Sequence, residues 1–302
     1  MRKLPITLIG YGEVGRILAE DLVAQGHRIT ACDVRLDSEA GRAMLEHAAG
    51  LGVTLLGTHA DAVRGAELVI SAVTASQTVP VAQACAAALA RDAFFLDFNS
   101  ASPGAKLVAA ARVSAGLGRF VEGAVMTSLP PYRIKVPLLL GGPDAEVLAP
   151  LLESLGFAPR VASKKLGVAS ATKMCRSVMI KGMEAMVIEA FTTARAYGVE
   201  DAVLASLHET FPGIDWERQG AYFFQRVIEH GRRRSEEVRE VAETVREAGL
   251  TPWSASGTAE RQAWVADLAD AGLFGERGSE GFARSADWRV EADRILRFVK
   301  KG

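Results

Sequence analysis

A glycine-rich segment near the amino terminus has the spacing of a dinucleotide-binding turn. Its residues are Gly10-Tyr11-Gly12-Glu13-Val14-Gly15, which match the pattern GxGxxG. The pattern alone is common, but here an apolar, strand-like run (5–10) precedes it and a helical pattern (13–26) follows it. The first glycine permits a tight turn, the second lets the backbone approach a pyrophosphate, and the third allows close helix–sheet contact. Free N–H groups at the helix start then favour phosphates, so the segment predicts a dinucleotide site.

An acidic residue follows this turn at about the sequence separation that dinucleotide-binding domains have between the glycine turn and the acid that contacts the adenosine ribose. Asp33 lies 18 residues past Gly15, at the end of the second predicted strand. Hydrogen bonds to the adenosine ribose hydroxyls favour NAD, because an aspartate repels the 2′-phosphate of NADP. Arg35 leaves NADP open, since a nearby arginine can hold that phosphate.

A second wall of the cofactor site is predicted at Val73 and Thr74, which end the fourth apolar run. An ordinary buried strand end is an equal alternative there. For the whole set of cofactor residues, the alternative is a Rossmann-like domain that binds another nucleotide or none.

A lysine inside an apolar helical segment is the candidate general base. If the predicted dinucleotide is a nicotinamide cofactor that accepts a hydride from an alcohol, a further group must take the hydroxyl proton. Lys173 lies among alanines and methionines. Its ordinary pKa of about 10.4 makes it a weak base unless burial or nearby cations lower the pKa. Lys173, Ser177 and Lys181 share one helix face at i, i+4 and i+8. The alternative is a solvated surface lysine.

Other cations occur near this lysine in the sequence. Arg176 lies one turn further along the helix and Lys181 two turns, while Arg133 and Lys135 come from an earlier loop. If they face one crevice, the pocket is strongly cationic and predicts an anionic substrate, such as a carboxylate, a phosphate or a dicarboxylate. The alternative is that Arg176 and Lys181 pair with Glu184 or another acid for structural reasons.

Strand-like and helical patterns alternate in the first half of the chain. Apolar runs recur at 5–10, 28–33, 53–56, 68–73, 93–97, 120–125 and 136–140, with helical patterns at 13–26, 77–90, 103–115 and 144–155. This alternation predicts an α/β Rossmann domain with a mostly parallel sheet and helices on both faces, spanning residues 1–163.

The pattern changes to helix alone in the second half. One long helix is predicted from Lys165 to Tyr197, followed by helical periods at 200–210, 215–230, 232–248, 257–270 and 287–299, with a break at Gly231. An all-α domain is therefore expected at 164–302, beginning with the long interdomain helix.

Composition excludes several classes of function. The net charge of −1 gives no reason to expect nucleic acid or a membrane surface as a partner. Three scattered cysteines without a CxxC pair predict reduced thiols and no metal site. The amino terminus runs straight into a strand, and no apolar run approaches the ~20 residues that span a bilayer, so a soluble cytoplasmic protein is expected.

Three further segments resemble the β-hydroxyacid dehydrogenase family, which includes 3-hydroxyisobutyrate, tartronate-semialdehyde and 6-phosphogluconate dehydrogenases. The first is similar to the family's D-x-[ST]-[ST]-x-x-P segment and reads Leu96-Asp97-Phe98-Asn99-Ser100-Ala101-Ser102-Pro103. The second stands at the family's D-A-P-V-S-G-G substrate loop and reads Glu122-Gly123-Ala124-Val125-Met126-Thr127-Ser128. The third is similar to the family's catalytic-lysine stretch and runs from Gly167 to Ser177. The resemblance implies that Lys173 is the general base or acid. It also implies that Asn99 and Ser100 position the substrate carboxylate or the nicotinamide amide, unless they only cap the next helix.

The chain departs from the family pattern at several of these positions. Met126, Thr127 and Ser128 replace a serine and two glycines, Ser177 replaces an asparagine, and Glu236-Glu237 stands for a lysine–aspartate pair. These differences resemble a divergent branch with a poorly characterised C-terminal domain. A 6-phosphogluconate substrate is disfavoured, because Ile180 stands where those enzymes place an acid.

The resemblance implies a homodimeric, NAD(P)-dependent oxidoreductase that acts on the CH–OH group of a small anionic 3-hydroxy acid or sugar acid. It also implies that the helical domain at 164–302 serves substrate binding and dimerisation. NAD is the expected cofactor, and NADP remains possible. One alternative is an imine reductase-like enzyme, against which the cations argue because they repel an iminium ion. The other is a non-catalytic, nucleotide-sensing protein on the same fold.

Overall fold

The computed structural model describes residues 3–279, 281–282 and 285–300, and the chain forms two compact units, Met1–Cys175 and Arg176–Gly302. The division falls inside the long helix α7 (Val168–Tyr197), later than the boundary at residue 163 that the sequence predicts. The difference arises because the first turns of α7 are hydrogen-bonded to the sheet of the first unit.

The described part of the first unit contains one eight-stranded sheet. The strands are β1 (Pro5–Ile9), β2 (Arg28–Cys32), β3 (Thr54–Leu56), β4 (Leu68–Ser71), β5 (Phe94–Asp97), β6 (Arg119–Val125), β7 (Pro137–Gly141) and β8 (Ala158–Ser163). Their order is β3-β2-β1-β4-β5-β6-β7-β8, and all neighbours are parallel except β6 and β7. The predicted Rossmann fold with a mostly parallel sheet is confirmed. Strand β8 was not predicted because its residues alternate between exposed and half-buried positions without an apolar run.

Helices cover both faces of this sheet. They are α1 (Glu13–Ala24), α2 (Glu39–Leu51), α3 (His59–Val63), α4 (Thr78–Ala86), α5 (Pro103–Ala115) and α6 (Ala145–Ser154). Successive strand residues point to opposite faces, so Leu68 and Ile70 join one apolar core while Val69 joins another. Burial on both faces explains why the central strands are nearly continuous apolar runs.

The second unit is helical. After α7 come α8 (Glu200–Thr210), α9 (Trp216–Glu247), α10 (Trp253–Asp270) and α11 (Trp288–Val299). The predicted break at Gly231 is wrong, because α9 continues through it. A Cβ at Gly231 would lie 2.8 Å from the carbonyl oxygen of Gln262, so the glycine permits close packing against α10. None of the described helices combines the length and apolar character that a membrane span requires.

Candidate functional site

The residues predicted to bind the cofactor follow strands that end at one edge of the sheet. Ile9 pairs with Cys32 on one side and Ser71 on the other, and Ser71 pairs with Asp97. The loops after these four residues therefore begin side by side. The chain order reverses between β1 and β4, and open α/β sheets bind ligands at the carboxyl ends of the strands at such a point.

Two glycines of the turn are required by packing inside the protein. Gly10 has φ +94°, and a Cβ there would lie 2.4 Å from the carbonyl oxygen of Ala72. A Cβ at Gly15 would lie 2.1 Å from the carbonyl oxygen of Gly10. Neither position can accept a side chain without moving the backbone.

Gly12 differs from these two glycines. Within the described structure, a Cβ there would meet only the guanidinium of Arg35, at 3.5 Å. Gly12 is also the N-cap residue of α1, and no described side chain caps this helix. The open space and the uncapped N–H groups, which include those of Glu13 and Val14, fit a pyrophosphate close to the backbone.

Tyr11, the second residue of the glycine turn, is held by contacts inside the protein. Its side chain is fully buried, its Oη lies 3.0 Å from Nδ1 of His47, and burial raises its pKa to about 12. The N–H of Tyr11 donates to Oδ2 of Asp33 at 2.9 Å. The motif predicted Tyr11 as a cofactor residue, whereas in the structure both its side chain and its N–H have protein partners.

Asp33 and Arg35 form an ion pair at the end of β2. The guanidinium donates Nε to Oδ1 and Nη2 to Oδ2 of the carboxylate, each at 3.0 Å. Burial raises the pKa of Asp33, but the hydrogen bonds from Arg35 and from the Tyr11 N–H outweigh that effect and hold its pKa below the ordinary value. The carboxylate is therefore ionised, with its charge balanced by Arg35.

Asn99 joins the ends of two neighbouring strands. Its Oδ1 accepts the N–H of Val73 at 2.7 Å, and its Nδ2 donates to Oγ of Ser71 at 3.0 Å. Its own N–H donates to Oδ1 of Asp97 at 2.9 Å. The cap of α5 is Ser102, so Asn99 does not cap that helix. Asn99 instead fixes the shape of the edge at which both Val73 and Ser100 lie.

Lys173 reaches this same edge. Its Nζ donates to Oγ of Ser100 at 2.6 Å, and both residues are half-buried. The sequence alone places these residues 73 positions apart, and only the family resemblance relates them. The structure thus brings the predicted base to the end of β5, next to the residues predicted to bind the cofactor.

The predicted substrate loop begins where β6 ends, at the same edge as β5. Met126 and Ser128 are half-buried and Thr127 is exposed. Arg133, which was predicted to add a cation to the pocket, instead pairs with Glu20 at 2.7 Å and Asp21 at 2.8 Å. These carboxylates on α1 neutralise its charge, so that part of the prediction is wrong.

Sequence reasoning missed a buried charged cluster beside this site. Asp97, Lys106 and Glu122 are each at most 1% exposed. Lys106 Nζ lies 3.0 Å from the carbonyl oxygen of Asp97 and 3.3 Å from its Oδ2. Burial raises the pKa of Asp97 although Lys106 opposes this. Helical spacing gave a signal, since Lys106 lies on the buried face of α5 with Ala109 and Ala110.

In the helical unit, the remaining predicted residues have different surroundings. Arg176 is exposed and Ser177 is buried. Lys181 is buried and its Nζ pairs with Glu237 at 2.5 Å, while burial lowers the pKa of Lys181 against the opposing effect of Glu237. For Lys181 the structure therefore agrees with the structural alternative. Its partner is Glu237, whereas Glu184 pairs with Arg234.

Two family models match parts of the chain. The model of the NADP oxidoreductase, coenzyme F420-dependent, matches residues 5–99, and a domain of unknown function (DUF1932) matches residues 194–265. A conserved hypothetical protein from Sinorhizobium meliloti 1021 is 37% identical, with 98% of this chain and 97% of that chain covered and a TM-score of 0.75. A conserved protein of unknown function, MTH1747, described as structurally similar to 3-hydroxyacid dehydrogenases, is 27% identical over 88% and 99% of the two chains, with a TM-score of 0.67.

More distant structures share the fold. The 3-hydroxyisobutyrate dehydrogenase of Mycobacterium tuberculosis, solved with L-serine, is 17% identical over 97% of this chain and 99% of its own, with a TM-score of 0.72. An imine reductase from Myxococcus stipitatus, solved as a variant with NAD+, is 18% identical over 97% and 99%, with a TM-score of 0.57. The fold therefore occurs with at least two kinds of oxidoreductase chemistry.

Proposed function

Since this chain belongs to the 3-hydroxyacid dehydrogenase-like proteins with a divergent C-terminal domain, we propose that it is an NAD(P)-dependent dehydrogenase. Its substrate is a small anionic 3-hydroxy acid or sugar acid, whose hydroxyl it oxidises or whose matching carbonyl it reduces. The observation that carries this proposal is the 2.6 Å hydrogen bond from Lys173 Nζ to Ser100 Oγ, at the sheet edge that the glycine turn shares.

The residues of this edge fit a nicotinamide dinucleotide. Gly12 and the uncapped start of α1 would hold the pyrophosphate, Asp33 would hold the adenosine ribose, and Val73 and Thr74 would line the nicotinamide end. When bound, the nicotinamide supplies the hydride acceptor. The protein supplies orientation and proton transfer.

Proton transfer falls to Lys173 in this proposal. Its neutral amine takes the proton of the substrate hydroxyl during oxidation, and its ammonium returns a proton during reduction. Ser100 orients the amine through the hydrogen bond between them, and Asn99 fixes Ser100 by joining β4 to β5. We propose that Arg176, one helical turn after Lys173, supplies the positive charge for the substrate carboxylate.

The substrate loop and one further helix residue complete the proposed site. Met126, Thr127 and Ser128 follow β6 directly, and Ser177 lies one turn after Lys173 on the same helix. They are proposed to shape the substrate-binding surface. Lys181 is left out of this set because its ammonium is paired with Glu237.

The test is turnover of a panel of 3-hydroxy acids and sugar acids with NAD and with NADP, followed by absorbance of the reduced nicotinamide. We expect turnover of at least one acid. If no acid reacts but cyclic imines are reduced with NADPH, the chain is an imine reductase. If dinucleotide binds and neither class reacts, the nucleotide-sensing alternative replaces the proposed function.

We further propose that NAD is preferred, because Arg35 is held by Asp33 and is not directed to a 2′-phosphate. In Asp33→Ser, Arg35 is released and the ribose acceptor is weakened. The KM for NAD should rise and that for NADP should fall, each about tenfold, since a hydrogen bond to a charged group contributes about 1.5–3 kcal/mol. Asp37→Ser, the same change at an exposed position, is the matched control. An unchanged ratio of the two KM values in Asp33→Ser would contradict this preference.

A further inference from the structure

Glu122, a fully buried residue of β6, is bonded to the start of the helix that carries Lys173. Its Oε1 accepts the N–H groups of Gly167 at 2.9 Å and Ala169 at 3.1 Å. Its Oε2 accepts the N–H of Ser170 at 3.4 Å and the Ser170 hydroxyl at 2.8 Å. A helix starting at Val168 thus takes its capping group from a strand that lies more than forty residues earlier in the chain.

These hydrogen bonds offset the free-energy cost of burying the Glu122 carboxylate. The first N–H groups of a helix lack partners inside the helix, and they carry a partial positive charge that favours an anion. Glu122 satisfies three of these N–H groups. The space for its carboxylate depends on Gly141, because a Cβ there would lie 2.2 Å from Oε1.

The cap of α7 comes from β6, and the partner of the Lys173 amine comes from the loop after the neighbouring strand β5. Glu122 pairs in register with Asp97 of β5, and the loop after Asp97 carries Ser100. Lys173 lies one turn beyond Ser170. The backbone of this turn is therefore fixed to β6 through Glu122, while its lysine amine is fixed to the end of β5 through Ser100.

We propose that Glu122 is a positioning residue, which holds the first turn of α7 so that the amine of Lys173 meets Ser100. This inference rests on the proposed function for its catalytic meaning. Its structural content, the placement of the Lys173 amine, is independent of which substrate the protein uses. Misplacement of a reacting group by about 1 Å can lower a rate about 100-fold.

The test uses three variants that disturb the cap in different ways. Glu122→Gln keeps the shape but turns an amide N–H₂ towards the helix N–H groups. Gly141→Ala keeps the charge and displaces the carboxylate. Ser170→Ala removes the hydroxyl that donates to Glu122 and that also lies 3.2 Å from the carbonyl oxygen of Gly167, and it keeps the three backbone N–H bonds to Glu122. We expect kcat to fall about 10- to 100-fold in the first two and about 2- to 5-fold in the third. The KM for NAD should change less than twofold in all three.

A second readout does not depend on turnover. The rate at which acetic anhydride acylates Lys173, measured by peptide mass spectrometry against the exposed Lys164, should rise several-fold as the bond to Ser100 weakens. Ser38→Ala, which removes the cap of α2, is the matched control and should change neither kcat nor this rate. If Glu122→Gln or Gly141→Ala folds and leaves the acylation rate unchanged, the positioning role is wrong. If wild-type protein turns over no substrate but acylation responds as expected, the proposed function fails and the positioning role stands.

Discussion

Replacing Lys173 by methionine is expected to lower kcat about 10²- to 10⁴-fold, the range that general acid–base catalysis contributes. Methionine keeps most of the length and apolar volume of the lysine but cannot accept a proton. The dissociation constant for NAD should stay within about twofold of the wild-type value, because the residues proposed to bind the cofactor lie in the segments that follow β1, β2 and β4. The measurement is steady-state kinetics on the best substrate of the panel, with NAD binding followed by calorimetry.

Two controls separate loss of the base from loss of structure. Lys164→Met makes the same change at an exposed lysine, 2.9 Å from Glu146, and should keep full activity. In Lys173→Ala, added methylamine should restore part of the rate, because a small amine can occupy the space left by the side chain. A Lys173→Met variant that keeps more than a third of the wild-type kcat would show that the base is a different group.

Gly12→Ala should weaken dinucleotide binding about 10- to 100-fold while leaving the fold unchanged. Among the described residues the added methyl meets only the flexible end of Arg35, and φ at Gly12 is −75°, outside the left-handed region that favours glycine. A pyrophosphate against the start of α1 would meet that methyl directly. Overpacking of a close contact costs about 1–3 kcal/mol, which corresponds to this change in the dissociation constant. Binding is measured by calorimetry and folding by Tm.

Gly50→Ala provides the matched control for this prediction. Gly50 lies in α2, is exposed, and a Cβ there meets nothing within 4 Å. Alanine is favoured over glycine in a helix by about 0.5–1 kcal/mol, so Tm should stay constant or rise and binding should not change. Equal binding of NAD by Gly12→Ala and wild-type protein would mean that the dinucleotide does not approach the turn at Gly12.

The sequence predicted the fold well in elements where the apolar residues follow one clear pattern. Buried parallel strands are continuous apolar runs and helices repeat every 3.6 residues, so the sheet, the long helix and the helical C-terminal half were all foreseen. The family resemblance was confirmed as well. The break at Gly231 was wrong because a glycine that permits helix contact looks the same in sequence as one that ends a helix.

The site was predictable as a set of residues but not as a set of contacts. Glycine spacing and the position of Asp33 are local signals. The bond between Lys173 and Ser100, the ion pair of Lys181 with Glu237 and the cap formed by Glu122 join residues far apart in the chain. A single sequence contains no physical signal for such pairings, which depend on how the elements pack. A charge inside an apolar run, as at Glu122, marks a residue with a buried partner without naming the partner.

The unequal packing of the three glycines has a consequence for how such a chain changes over evolutionary time. A relative that binds no nucleotide would still be selected for glycine at 10 and 15, since its own backbone fills the space that a methyl would take. It would be free to drift at 12, where nothing in the described fold demands glycine. Retention of glycine at 12 among relatives therefore reports selection for a bound ligand, whereas retention at the other two reports only selection for a foldable chain.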